Sequence, residues 1–144
     1  MPGILLDTNA LVRFFVGAPM KDGALIAIAA AQAVDQVYVS PVVAWEAAVA
    51  VRKPNPAKRP DLGGYEPADW FRLARRLTGA KLAPFGHRIT LEAARVPAIY
   101  GQNDPGDCFM IATARVRRLA IVTSDEPMAQ LAARLPLYLS VIRC

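Results

Sequence analysis

Four of the twelve acidic residues in this 144-residue chain stand out by the company they keep. Asp7 ends the apolar run Ile4-Leu5-Leu6 and is followed by Thr8 and Asn9. Asp125 ends another, Ile121-Val122, after Thr123 and Ser124. Glu46 is the only charge between Val42 and Val51. Asp107 closes Asp104-Pro105-Gly106-Asp107 and leads into the almost wholly apolar segment from Cys108 to Ala114. A lone carboxylate in such surroundings is costly unless it is paired or holds a metal. Asp7 and Asp125 leave the carboxyl ends of candidate strands. Glu46 and Asp107 lie at or near the starts of helices that follow strands. In an open parallel sheet all four points face one edge, where ligands bind. Carboxylates converging there cannot all stay ionised without a cation between them.

The residue inventory narrows that cation and its chemistry. One histidine, His87, and two cysteines, Cys108 and Cys144, cannot build a His- or Cys-rich metal site or a disulfide framework. Oxygen ligands select Mg²⁺, Mn²⁺ or Ca²⁺. No Ser-His or Cys-His arrangement offers a nucleophile, so water activated by a metal ion, attacking a phosphodiester in line, is the chemistry these acids fit. Each acid also has a plainer reading. Asp7 and Asp125 can cap helices, Asp104 can be an N-cap with Pro105 in the first turn and Asp107 three residues on, and Glu46 can face water. It is the convergence that argues for a site.

The elements that must do the positioning follow from composition and pattern. At 54% hydrophobic and 20% charged, the chain is an ordered globular sequence, read as one domain spanning 1–144. The longest apolar run, Ala24 to Ala31, is too short to span a bilayer, and no signal peptide opens the chain, so a cytoplasmic protein is expected. A net charge of +5 suits a polyanionic partner. After the first strand, a helix is expected from Asp22 (as cap) to Gln36, then a strand at Val37–Val39. Ser40 and Pro41 open a helix running to about Arg52. The segment Arg52 to Pro60, with three prolines and four cations, is an exposed loop. Helices follow at Pro67–Leu77 and Thr90–Tyr100, the latter capped by Thr90, with a strand at Lys81–Phe85 between them. Asn103 to Asp107 starts a helix reaching about Arg118. A strand at Ala120–Val122, a helix at Glu126–Arg134 and a strand at Tyr138–Ile142 complete the chain. Strands alternating with helices indicate a parallel sheet covered on both faces.

Taken together, Leu5-Leu6-Asp7-Thr8-Asn9, Ser40-Pro41-Val42-Val43-Ala44-Trp45-Glu46, Asp104-Pro105-Gly106-Asp107 and Ile121-Val122-Thr123-Ser124-Asp125 resemble a PIN domain. More narrowly they resemble the VapC toxins of bacterial toxin–antitoxin pairs. The resemblance covers essentially the whole chain. It implies a PIN-like α/β/α sandwich with a five-stranded parallel sheet and a Mg²⁺- or Mn²⁺-dependent endoribonuclease. Asp7, Glu46, Asp107 and Asp125 match the family's acidic quartet, as catalytic and metal-binding residues. Thr8, Asn9, Asp104, Thr123 and Ser124 match polar residues in support. The resemblance also implies a homodimer and a cognate antitoxin whose tail occupies the acidic groove. Two positions depart from the pattern: Cys108 stands where relatives often carry Arg, and Asn103 where His or Arg is expected.

For an RNA substrate, tRNA or another structured RNA, the basic segment supplies candidate phosphate contacts in Arg52, Lys53, Lys58 and Arg59. Arg72, Arg75, Arg76, Arg115, Arg117 and Arg118 are further candidates. His87 reads as structural or exposed. Trp45, Trp70 and Phe71 read as core or dimer contacts rather than base-stacking platforms. Two competing functions remain. A non-catalytic PIN-like RNA-binding module would not need all four acids. A phosphotransfer protein would want a second Asp two residues after Asp7, where Asn9 stands, or a Lys after Ile121-Val122, where none follows.

Overall fold

The computed structural model describes residues 3–144. Five strands form one parallel sheet: β1 (Ile4–Leu6), β2 (Val37–Val39), β3 (Lys81–Leu82), β4 (Ala120–Thr123) and β5 (Val141–Arg143). Their order is β3-β2-β1-β4-β5. Ile4 of the central strand is in register with Val37 on one side and Ala120 on the other. The chain therefore builds outward from β1 through β2 to β3, then returns across β1 to lay down β4 and β5. That reversal beside β1 is where open α/β sheets gather ligands, past the carboxyl ends of the strands. β1 is buried throughout and Ile121 and Val122 of β4 are fully buried. β1 and Ala120–Val122 of β4 are uninterrupted apolar runs, as a sheet covered on two faces requires.

Helices cover the sheet on both faces: α1 (Thr8–Val16), α2 (Asp22–Ala33), α3 (Val42–Ala50), α4 (Pro67–Thr78), α5 (His87–Ala93), α6 (Val96–Tyr100), α7 (Pro105–Arg117) and α8 (Glu126–Arg134). α3 packs against α4 and α7, and α5 against α7. Arg115 ties this part together: its guanidinium donates to Glu92 on α5 and to the Tyr138 carbonyl, and it lies over the Tyr138 ring. Among the described residues no helix is long and apolar enough to cross a membrane.

Several boundaries differ from the sequence expectation. Helix α1 follows β1 directly and is absent from that expectation, because Thr8, Asn9, Val12 and Val16 are poor helix formers and no turn separates strand from helix. Its start is fixed by Asp7 as N-cap and its end by Gly17 in the left-handed region. Asp22 sits inside the first turn of α2 rather than capping it; Lys21 holds the cap position without a side-chain bond, and the helix ends at Ala33. β3 shrinks to two residues and β5 starts only at Val141. The helix expected over Thr90–Tyr100 is two helices, α5 and α6. Thr90 is no cap: it lies within α5 and its hydroxyl donates to the Gly86 carbonyl.

Candidate metal centre

Everything in the site hangs from three chain segments that leave the carboxyl end of the sheet together. The Asp7 amide donates to the Val122 carbonyl, which fixes the end of β1 against β4. Asp7 is 5% exposed, and three donors meet its carboxylate. The Thr8 amide donates to Oδ1 at 2.8 Å, while the Thr123 hydroxyl at 2.6 Å and Asn9 Nδ2 at 3.2 Å donate to Oδ2. Asn9 returns the tie: its Oδ1 accepts from the Ser124 amide at 2.9 Å. Thr123 also accepts from the Asp125 amide at 3.0 Å. Thr123 and Ser124 thus hold the turn after β4, and do not line the open cleft.

Two more helices present acids from their first turns. Asp125 is the N-cap of α8, its Oδ2 accepting from the Met128 amide at 3.0 Å. Asp104 is the N-cap of α7, accepting from the Asp107 amide at 3.0 Å. The capping readings of these acids are therefore correct, and capping is also what aims them at the cleft. Glu46 arrives from α3, half-buried, and accepts from the Thr8 hydroxyl at 3.0 Å. It reaches the first turn of α7 only because residue 106 is glycine. A Cβ there would stand 2.7 Å from Glu46 Oε2 and 2.8 Å from Cδ.

One carboxylate oxygen each from Glu46, Asp104 and Asp107 lies within 4.8 Å of the others. None of these three forms an ion pair with Lys or Arg among the described residues. Asn103 and Cys108 supply no compensating charge; Cys108 is buried, its thiol near the Gln102 carbonyl. The acids register this. Burial, then the charge of Asp7, pushes Glu46 up to about 7 against a bond from Thr8 that pulls it down. Burial, then the charges of Asp125 and Asp104, pushes Asp107 up to about 7, although its bond from Tyr100 opposes this. Burial raises Asp7 as well, with the Thr123 bond opposing. An all-oxygen set of mutually repelling carboxylates with lone pairs to spare is what a hard divalent cation takes. The residues present fit such an ion.

Asp7, Thr8, Asn9, Glu46, Asp104, Asp107 and Asp125 all line one cleft of about 510 Å³. Lys53, Lys58 and Arg59 line it too; Arg52 does not. The remaining candidate arginines lie elsewhere. Arg72 pairs with Asp69, Arg75 donates to the Ala80 carbonyl and Arg115 serves α5, while Arg76, Arg117 and Arg118 are also outside the cleft. His87 is exposed at the start of α5, and Trp70 is a core residue, as expected. Trp45 is not a core residue: it is 54% exposed on the cleft wall.

Sequence reasoning missed two residues. Tyr100, at the end of α6, is buried and its hydroxyl donates to Asp107 Oδ2 at 2.9 Å, with Asp125 Oδ2 at 3.5 Å. Nothing in its sequence context marks it; only the fold of α6 back onto α7 does. Arg13, the one cation of α1, lines the cleft and donates to the Cys144 carbonyl at 3.1 Å.

A model of the PIN domain family matches residues 4–134. No curated protein sequence matches. Among solved structures, a toxin–antitoxin complex from Klebsiella pneumoniae contains a similar chain, 20% identical over 97% of this chain and 96% of that one, with a TM-score of 0.60. VapBC2 from Rickettsia felis, bound to a fragment of its promoter DNA, is 14% identical over 98% of each chain, with a TM-score of 0.66. DNA-bound VapBC from Salmonella typhimurium is 13% identical over 99% and 98%, with a TM-score of 0.65. At these identities the likeness is one of fold.

Proposed function

The chain belongs to the PIN domain family, and from that premise we propose that it is a metal-dependent endoribonuclease acting as the toxin of a toxin–antitoxin pair. The observation that carries the chemistry is the group of Glu46, Asp104 and Asp107 oxygens within 4.8 Å, with Asp7 and Asp125 beside it in one cleft. The toxin role rests on the similar chains, which belong to toxin–antitoxin complexes. We read the chain as one nuclease domain over 1–144, working as a homodimer on RNA in the cytoplasm, its acidic cleft blocked by an antitoxin until release.

In this reading Asp7, Glu46, Asp107 and Asp125 would hold Mg²⁺ or Mn²⁺, with Asp104 beside Glu46 and Asp107 supporting them. A bound ion of this kind polarises a phosphodiester and makes an adjacent water a better nucleophile. Thr8 orients Glu46, and Tyr100 orients Asp107. Asn9, Thr123 and Ser124 hold Asp7 and Asp125 at their spacing. Lys53, Lys58 and Arg59 draw the backbone of the substrate toward an acidic floor that would otherwise repel it. Glu46→Gln keeps the side chain's shape and removes one charge. RNA cleavage at saturating Mg²⁺ should then fall by orders of magnitude, each tenfold being about 1.4 kcal/mol of lost transition-state stabilisation. Wild-type protein that leaves RNA intact with and without Mg²⁺ would point instead to a binding module.

A further inference from the structure

Trp45 and Glu46 are neighbours on α3, yet they face different parts of the same cleft. Glu46 turns down to the acidic floor, where Thr8 holds it. Trp45 stands 54% exposed on the wall, with Val49 one turn further along α3 at 49% exposed. A tryptophan so open is unusual, because its large apolar face gains from being covered. Beyond Val49 the wall continues into Lys53, Lys58 and Arg59. This part of the loop is held in shape: Arg59 Nε donates to the Lys53 carbonyl at 2.7 Å, and Asn55 caps the turn at Pro56–Lys58. None of the three cations has an acidic partner among the described residues.

We propose that Trp45, extended by Val49, is a stacking platform for one unpaired nucleobase next to the scissile phosphodiester, and that Lys53, Lys58 and Arg59 hold the phosphates beside it. This rests on the acidic floor being the cleavage centre. The wall asks for a ligand that carries both a flat apolar face and an anionic group, which each nucleotide supplies. A peptide reaching the acidic floor, as an antitoxin tail would, leaves the three cations on the wall without an anionic partner, whereas a nucleotide supplies one. A base within a duplex has both faces covered by its neighbours, so the platform selects single-stranded segments and loops.

Emission of the chain's two tryptophans separates the outcomes, because Trp70 is fully buried and Trp45 is not. In metal-free protein, a short uridine oligonucleotide should quench this emission, whereas an abasic oligomer of equal length should bind without quenching. Trp45→Leu keeps an apolar wall but loses the ring. In cleavage with Mg²⁺ it should raise KM on the order of tenfold to a hundredfold, the scale of one base–aromatic stack, with little change in kcat. Trp45→Phe should restore most of that loss. Equal behaviour of the Leu and Phe variants, or equal quenching by the abasic oligomer, overturns the platform. Emission that ignores oligonucleotides but shifts with protein concentration, or with an arginine-rich peptide, gives Trp45 to another chain and also overturns it. If wild-type protein fails to cleave yet shows base-dependent quenching, Trp45 remains a base-stacking site, but its place beside a scissile bond falls with the nuclease reading. If it cleaves and Trp45→Leu matches it in KM, only the platform falls.

Discussion

Gly106→Ala adds a single methyl group, and the structure states where it would go. It would lie 2.7 Å from Glu46 Oε2 and 3.2 Å from Asp104 Oδ1. Ordinary contact needs at least about 3.4 Å, so the Glu46 carboxylate must retreat roughly 0.7 Å or swing away altogether. The fold should hardly notice. Gly106 has no left-handed backbone requirement, it sits in the first turn of α7, and alanine favours helix over glycine by up to about 1 kcal/mol. The displaced atoms are the far end of a flexible side chain. The site should notice strongly, because the move weakens the 3.0 Å bond from Thr8 and takes one oxygen out of the cluster within 4.8 Å. A misplacement near 1 Å in a catalytic constellation costs on the order of a hundredfold. The expected result is thermal stability within about 1 kcal/mol of wild type, with Mn²⁺ affinity by calorimetry and RNA cleavage both sharply reduced. Wild-type Mn²⁺ affinity in Gly106→Ala would refute the placement of Glu46 among the ligands.

Other perturbations follow from the same geometry. Stability of the metal-free protein should fall as pH rises from about 5 to 7. Glu46 and Asp107 keep their protons up to about 7 in the folded state but lose them near 4.5 and 3.8 when unfolded, so the folded state binds more protons across that window. The combined loss should be on the order of 1–2 kcal/mol after allowing for water screening of these partly open groups, and Mg²⁺ at pH 8 should reverse it; denaturant melts with and without the ion measure this. Tyr100→Phe keeps the buried ring and removes the donor to Asp107, so Mn²⁺ affinity and the pH profile of cleavage should shift while the melting temperature moves by the equivalent of about 1 kcal/mol. If the homodimer is correct, sedimentation at micromolar concentration should give twice the chain mass, and a clean monomer would count against it.

What could be read from sequence divides by range. Asp7 and Asp125 were legible because a short apolar run ending in Asp marks a strand's carboxyl end, and parallel topology carries both to one edge. Asp104-Pro105-Gly106-Asp107 was legible as a helix start, and the cap geometry is as read. Glu46 was legible as a charge with no polar company. α1 was not, since its only signal was Asp7 as a cap, and that residue already had another role. The break between α5 and α6 was hidden because Thr90 resembles a cap but bonds backward to Gly86. Tyr100 was invisible because its partners Asp107 and Asp125 lie in other elements. The core half of the reading for Trp45 fails, because a tryptophan in an apolar helix is ordinarily core and its exposure depends on what α4 and α7 leave uncovered.

The hydrogen bonds also divide the acids by task. Asp7 is the most buried, and it has the best supply of donors: three, drawn from α1 and the turn after β4. These bonds tie β1, α1 and β4 into one edge, although burial outweighs them and raises the Asp7 carboxyl. Glu46 and Asp107 each receive one side-chain donor, Thr8 and Tyr100, and both are pushed up to about 7 by burial and by their neighbours. These two keep free lone pairs, and one oxygen of each lies within 4.8 Å of one from the cap Asp104. A cation gains most where the protein's own donors are fewest. On the proposed reading, an ion between α3 and the start of α7 would relieve this repulsion, with Asp7 and Asp125 beside it in the same cleft.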